Sequence, residues 1–283
     1  MRRSKNPQPL RIVHLSDTHL FGDATTLHCN RVNTREALAR TLTAADSITD
    51  LDLVVASGDL SDDGSVESYQ ELSRQIGTFA ASHGAAIVYA MGNHDLKAGF
   101  ESVLGVREKT LMCRGYRIIT LDSTVPGAGY GRLSNEQLNW LESELAAPAP
   151  HGTIVVLHHP PAAASSSLLQ ALELRDPDRL LDICTDTDVR VILSGHYHHA
   201  VLSTSMGIPV VVSPGVANHS DPLAAPGTER AVMGSGFGIV EVSADGDIRT
   251  SFIEVSGPFD GEELFNLTPE EVSHIAATAG PPS

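Results

Sequence analysis

Nothing in this chain encodes a disulfide framework. Its three cysteines, Cys29, Cys113 and Cys184, are odd in number, widely scattered and never form a CxxC pair. That pattern argues against structural disulfides and thiolate metal sites, and makes a reducing cytoplasm the expected location. No run of 18 apolar residues occurs, so no membrane-spanning helix is expected. Residues Met1 to Pro7 form a polar stretch without the apolar centre of a secretory signal. The sequons Asn218-His219-Ser220 and Asn266-Leu267-Thr268 are accordingly read as chance. Basic residues are also scarce: 19 Lys and Arg face 35 Asp and Glu, a formal charge of −16. Phosphate neutralisation dominates nucleic-acid binding, so long DNA or RNA is a poor partner for such a surface. No internal repeat is present, and the glycine-rich Gly127-Ala128-Gly129-Tyr130-Gly131 lacks the GK[ST] of a phosphate loop, reading instead as a mobile loop.

The 283 residues, 41% of them hydrophobic, give ample chain for a core. Apolar runs at Arg11–Ser16, Leu51–Ala56, Ile87–Met91, Tyr116–Leu121, Thr153–Leu157, Val189–Leu193, Pro209–Ser213 and Gly236–Val242 read as strands. Helical periodicity covers Asn33–Ile48 and Val66–Ala81. Ser134-Asn135-Glu136-Gln137 reads as a capping box opening a helix through Leu145. The opening βαβ rhythm and the strand-rich final third predict an α/β protein with mixed sheets and helices outside. Pro148-Ala149-Pro150 is a candidate midpoint linker. Past Pro258 the chain turns polar, and Thr268-Pro269-Glu270-Glu271 signals one short, peripheral terminal helix.

The informative positions lie just after the strands. There the chain places Asp17-Thr18-His19, Gly58-Asp59, Asn93-His94-Asp95, His158-His159-Pro160 and Gly195-His196-Tyr197-His198-His199. Any one group could be a turn, since Asn, Asp and Gly dominate turns. Five in succession at the carboxyl ends of strands point to a site, because open α/β sheets bind ligands there. Imidazole, carboxylate and amide oxygen without thiolate suit transition ions such as Mn, Fe, Zn or Ni. Asp17 with His19 and His196 with His198 stand at i and i+2, a spacing that shares a face in extended backbone. The set is too large for one tetrahedral ion and sufficient for two ions sharing a carboxylate.

D-x-H, G-D, G-N-H-D, H-H-P-P and G-H-x-H, in this order across residues 11–242, resemble the calcineurin-like metallophosphoesterases. In detail, Gly58 to Gly64, Leu157 to Pro161 and Ser194 to His198 resemble the bacterial class III cyclic-nucleotide phosphodiesterases. The resemblance implies a four-layer α/β/β/α sandwich of two mixed β-sheets flanked by helices. Within it, residues 1–10 would be a tail, 11–255 the catalytic domain and 256–283 an extension with a short helix. It implies that Asp17, His19 and His198 bind one metal, that Asn93, His158 and His196 bind a second, and that Asp59 bridges both. Two transition-metal ions per chain follow, Mn or Fe foremost, with Zn or Co also fitting. His94 would face the substrate beside Asn93 and stabilise or protonate the leaving oxygen. Asp95 would orient His94 or cap the turn. Asn218 and His219 are candidate contacts to the nucleoside or alcohol portion.

The implied reaction is hydrolysis of a small phosphodiester, 3′,5′-cyclic AMP or a related cyclic nucleotide first, by in-line attack of a metal-bridging hydroxide. The alternatives are a glycerophosphodiesterase or broad-specificity phosphodiesterase and, remotely, a non-catalytic scaffold of the same fold. A homodimer is also implied. Among the other histidines, His14 reads as core, and His159 and His199 could each lie behind a ligand. His28, His83, His151 and His274 read as solvated surface. The loops at residues 22–32 and 162–167 receive no assignment beyond a rim or linker for the latter.

Overall fold

The computed structural model describes residues 8–282, so most of the predicted tail lies outside the described residues. In chain order the first half comprises β1 (Leu10–Leu15), α1 (Thr34–Ala45), β2 (Leu53–Ser57), α2 (Val66–His83), β3 (Ala86–Ala90) and α3 (Lys97–Leu104). It continues through β4 (Lys109–Cys113), β5 (Tyr116–Thr120), β6 (Gly131–Arg132) and α4 (Asn135–Leu145). The second half begins with β7 (Gly152–Val156), α5 (Ser167–Ala171), β8 (Leu174–Arg175), α6 (Pro177–Cys184) and β9 (Val189–Ser194). Strands then dominate: β10 (Val201–Ser205), β11 (Ile208–Val212), β12 (His219–Ser220), β13 (Glu229–Val232), β14 (Ser235–Val242), β15 (Ile248–Val255) and β16 (Glu263–Leu267). The chain closes with α7 (Pro269–Ala279).

Two mixed sheets carry the architecture. One has the order β15-β14-β1-β2-β3 and the other β10-β11-β9-β7-β5-β4. The alternation of side chains along each strand explains why they stack. Leu10, Ile12, Leu53 and Val55 face inward with Ile154, Val156, Val191 and Leu193 from the other sheet. The intervening Val13, Leu15, Val54 and Ala56 face outward onto Leu38, Leu42, Leu72 and Ile76 of α1 and α2. Val155 and Ile192 likewise face Leu138, Leu141 and Leu180 of α4 and α6. Strands buried on both faces need continuous rather than alternating apolar runs, which is what these segments have. The result is the expected α/β/β/α sandwich.

The predicted strands and helices are present, with ends that coincide or shift by at most three residues. Among the elements the apolar runs did not mark, β4 and β10 alternate partly covered and exposed residues at sheet edges, while α3 and α6 are two-turn helices. The predicted capping box at Ser134 is corrected. Ser134 accepts from the Gln137 amide, but the Gln137 side chain pairs with both backbone groups of Asp122 instead. The capping box at Thr268 and Glu271 is complete. Pro148–Pro150 connects α4 to β7, which pairs with β5 in one sheet, so the stretch links layers of one body. The final segment is tied in where β16 pairs antiparallel with β13.

Candidate metal centre

Parallel pairing brings the polar strand ends together. β1 runs parallel to β2 and β2 to β3; β7 runs parallel to β9 and β9 to β11. Beyond the strands the backbones remain stitched. Asp17 N donates to Gly58 O, His19 N to Asp59 O, Gly195 N to His158 O and Ala217 N to Asp17 O, each at 3.0 Å. Gly195 permits the tightest of these approaches, since a Cβ there would lie 1.7 Å from Ser16 Oγ.

The local backbone is not the extended one that the i, i+2 spacing suggests. Asp17, His19, Asp59, His196 and His198 all have φ between +44° and +72°. Non-glycine residues adopt this left-handed region rarely, at roughly 1–3 kcal/mol each, and such strain clusters at functional sites. His196 and His198 enter different side-chain groups, whereas Asp17 and His19 share one.

The first group holds Asp17, His19, Asp59 and His198, whose ligand-type atoms lie within 4.8 Å of one another. His19 Nδ1 donates to Asp62 Oδ1 at 2.8 Å and His198 Nδ1 to the Asn218 carbonyl at 3.3 Å. A carboxylate and a carbonyl only accept, so each ring proton sits on Nδ1 and each Nε2 carries a lone pair. These two Nε2 atoms face each other at 3.3 Å. Asp17 Oδ1 lies 3.4 Å from His198 Nε2, and Asp59 Oδ2 lies 3.7 Å from His19 Nε2. Burial lowers the His19 pKa to about 4, partly offset by Asp62, and that of His198 to about 3. Two Nε2 lone pairs and two carboxylates thus converge with no donor among the four side chains, the arrangement a cation completes.

In the second group, His158 Nδ1 donates to Ser57 O at 2.9 Å, while Nε2 faces Asn93 Oδ1 at 3.2 Å and Asp59 Oδ2 at 3.4 Å. His196 spends Nε2 on the Leu172 carbonyl, leaving Nδ1 for a ligand role. Each of these four imidazoles is therefore fixed through its other nitrogen, the support that metal-ligating histidines characteristically have. Asp59 stands between the two groups. Burial alone would raise its pKa, but His158, His94 and His19 hold it well below the usual carboxylate range. His196 also donates its backbone N–H to both Asp17 oxygens at 3.2 Å. Both clusters thus fit transition-metal ions in residue type and in orientation.

His94 is exposed at the mouth, with its side chain 46% accessible. Its backbone N–H donates to Asp59 Oδ1 at 2.8 Å, and its Nδ1 lies 3.2 Å from Asp62 Oδ1. Burial opposes its charged form, yet Asp59 and Asp62 raise its pKa to about 9. Asp95 is buried and makes no bond to His94. It caps the turn, accepting from the amides of Gly92, Leu60 and Ser61 and from the Tyr69 hydroxyl. His159 stands within reach of His158 and His196, but both its ring nitrogens are engaged, by Ser123 Oγ and Gly129 O. His199 bonds the Tyr197 carbonyl and Ser165. Asn218 is buried, its side-chain oxygen unpartnered and its backbone carbonyl on His198. His219 begins β12, with a buried, unpartnered Nε2.

Several expectations are corrected. His28 is not solvated surface: its ring lies 4.8 Å from that of His19 and 3.7 Å from Asp62. His83 bonds the Phe79 and Asp46 carbonyls, and His151 packs on Tyr116. His14 is core as expected, bonded to Ser57 Oγ. The glycine-rich segment 127–131 is packed rather than free, because its Gly129 carbonyl accepts from His159 and its Gly129 amide donates to Ala279 O. Segment 162–167 is anchored by Tyr197 Oη on Ala162 O and by the Ser166 cap of α5. Asp62 escaped sequence reasoning. It gathers His19, His28 and His94, and its sole sequence signal was its place three residues after Asp59.

Comparison with known proteins agrees with this geometry. Residues 10–200 match the calcineurin-like phosphoesterase family. A probable cyclic nucleotide phosphodiesterase of Rhodococcus erythropolis is 37% identical over 279 residues, covering 93% of this chain and 92% of the relative. A cAMP/cGMP dual specificity phosphodiesterase of Mycobacterium tuberculosis is 37% identical over 255 residues, covering 87% and 80%. Among solved structures, a dimetal phosphatase from Danio rerio superposes with a TM-score of 0.60 at 11% identity, over 88% of this chain and 100% of that one. That likeness concerns the fold alone.

Proposed function

The chain belongs to the calcineurin-like phosphoesterase family, and on that premise we propose that it is a metal-dependent phosphodiesterase of small cyclic nucleotides, cyclic AMP first. The observation that carries this reading is the position of Asp59, one carboxylate oxygen lying 3.7 Å from His19 Nε2 and 3.4 Å from His158 Nε2. Asp17, His19 and His198 would hold one ion, Asn93, His158 and His196 the other, and Asp59 would serve both. Such a pair supplies Lewis-acid polarisation of phosphoryl oxygens and acidification of water. Nitrogen and oxygen donors of this kind suit Mn or Fe foremost.

The chain's own residues supply the rest. Asp62 accepts from His94 Nδ1, so Nε2 is the ring atom left to face the substrate, and it donates when the ring is doubly protonated. Asp59 and Asp62 both favour the charged ring, and in that form His94 would be a donor placed where a leaving oxygen gains charge. Asn93 brings a neutral oxygen, so the site stays attractive to a phosphodiester monoanion despite the acidic chain. Asn218 and His219 line the neighbouring loop and would contact the organic portion. The substrate class is supported by the two relatives, both named for cyclic nucleotides. We take residues 11–255 as the catalytic domain, 1–10 as a tail and 256–283 as an extension, and expect a homodimer in the cytoplasm.

Initial rates of the Mn-loaded protein on cyclic AMP, glycerophosphocholine and bis(nitrophenyl) phosphate test the reading. A preference for cyclic AMP that His94→Ala lowers by about 10²–10⁴ is expected. Turnover of the nitrophenyl diester with negligible cyclic AMP hydrolysis would transfer the substrate assignment to another diester.

A further inference from the structure

A cavity of about 460 Å³, lined by none of the candidate metal ligands, is not used by the proposed reaction. Its walls come from the segment after β5, the two-stranded β6–β8 ribbon, and the starts of α4 and α6. Arg132, Arg175 and Arg179 line it. They are three of only 19 basic residues in a chain of charge −16. Asp176 is the only carboxylate among the described lining residues, and it is exposed, 3.3 Å from Arg132. Three guanidiniums against one carboxylate leave a local formal charge of +2.

The guanidiniums are largely unspent. Arg179 donates to two neutral amide oxygens, of Asn135 and Asn139. Arg175 donates from Nη2 to Ala171 O at 2.9 Å, while its Nε is buried without a hydrogen-bond partner. Each guanidinium has five donors in a fork suited to phosphate, so most remain available. Apolar side chains of Val125, Pro126 and Leu133 complete the wall. The segments that line the cavity also reach the metal centre by other residues, the Gly129 carbonyl accepting from His159 and the Leu172 carbonyl from His196, while none of the candidate ligands lines the cavity.

We propose that this arginine-lined cavity is a second ligand site that takes a phosphomonoester dianion, phosphate on the guanidiniums and its organic part on the apolar wall. A cavity of this volume accommodates a small ligand of that kind. A nucleoside 5′-monophosphate, the product class of cyclic-nucleotide hydrolysis, is the natural occupant; that choice rests on the phosphodiesterase reading. Isothermal titration of 5′-AMP into the metal-loaded protein tests the site without requiring turnover, so its result stands apart from whether cyclic AMP is hydrolysed.

Two binding events per chain are expected. In the Arg132→Gln/Arg179→Gln double variant, one event weakens at least tenfold and the other persists. Both substituted side chains are exposed, and an unchanged circular dichroism spectrum and diester kcat would show that the fold and centre are intact. A single event in both proteins, or two events undiminished in the variant, would overturn the proposal.

Discussion

At the scale of single residues, the centre depends on how each imidazole is held. Asp62 bonds His19 at 2.8 Å and lies 3.2 Å from His94, so it fixes one candidate ligand and the candidate acid together. Replacing it with Asn keeps the shape but removes the charge and one acceptor oxygen. Loss of such support typically costs 10–100-fold. The expected outcome for Asp62→Asn is therefore a kcat/KM on cyclic AMP lowered about 10–100-fold; an unchanged value would remove its positioning role. His14 gives a pH prediction. Burial lowers its pKa from 6.5 to about 3, so below pH 6.5 the unfolded chain takes up a proton that the folded chain refuses. It costs nothing in this respect above pH 6.5, and stability falls as the pH drops toward 3, by about 5 kcal/mol in all. Urea titrations at several pH values should show a shallower acid slope for His14→Gln than for the parent, and parallel slopes would contradict this assignment.

At the scale of elements, the site is a property of strand ends brought within contact. The apolar runs and the polar groups after them were legible because a doubly buried strand announces itself by composition and a ligand cluster by residue type. The left-handed backbone at Asp17, His19, Asp59, His196 and His198 was not, since tertiary contacts impose it. Equally hidden was Gln137, whose side chain serves the Asp122 backbone rather than its own helix. The edge strands β4 and β10 escaped because their half-exposed alternation carries little apolar signal. Gly195 tests the packing of these ends: a Cβ there would strike Ser16 Oγ and lie 2.9 Å from Asp17 Oδ2. Gly195→Ala should lower stability by about 1–3 kcal/mol, the usual penalty for overpacking. The measurement is a shift in urea midpoint at constant slope; an unshifted midpoint would mean that the strand ends yield freely.

At the scale of the whole molecule, two sheets share one interior and converge their strand ends on one centre. The family and sandwich were legible from the ordered motifs, whereas the arginine-lined cavity was not, because Arg132, Arg175 and Arg179 are separated by up to 47 positions and meet only through the β6–β8 ribbon and the packing of α6 on α4. Among the described residues, no helix is long and apolar enough to cross a membrane. Both side-chain groups are expected to bind metal and to share Asp59. Metal content per chain, measured by mass spectrometry on the Mn-reconstituted protein beside Asp59→Asn, tests this most directly. Two ions in the parent and fewer than two in the variant are predicted. A parent that holds none, or a variant that retains both, would rule out a shared two-metal centre.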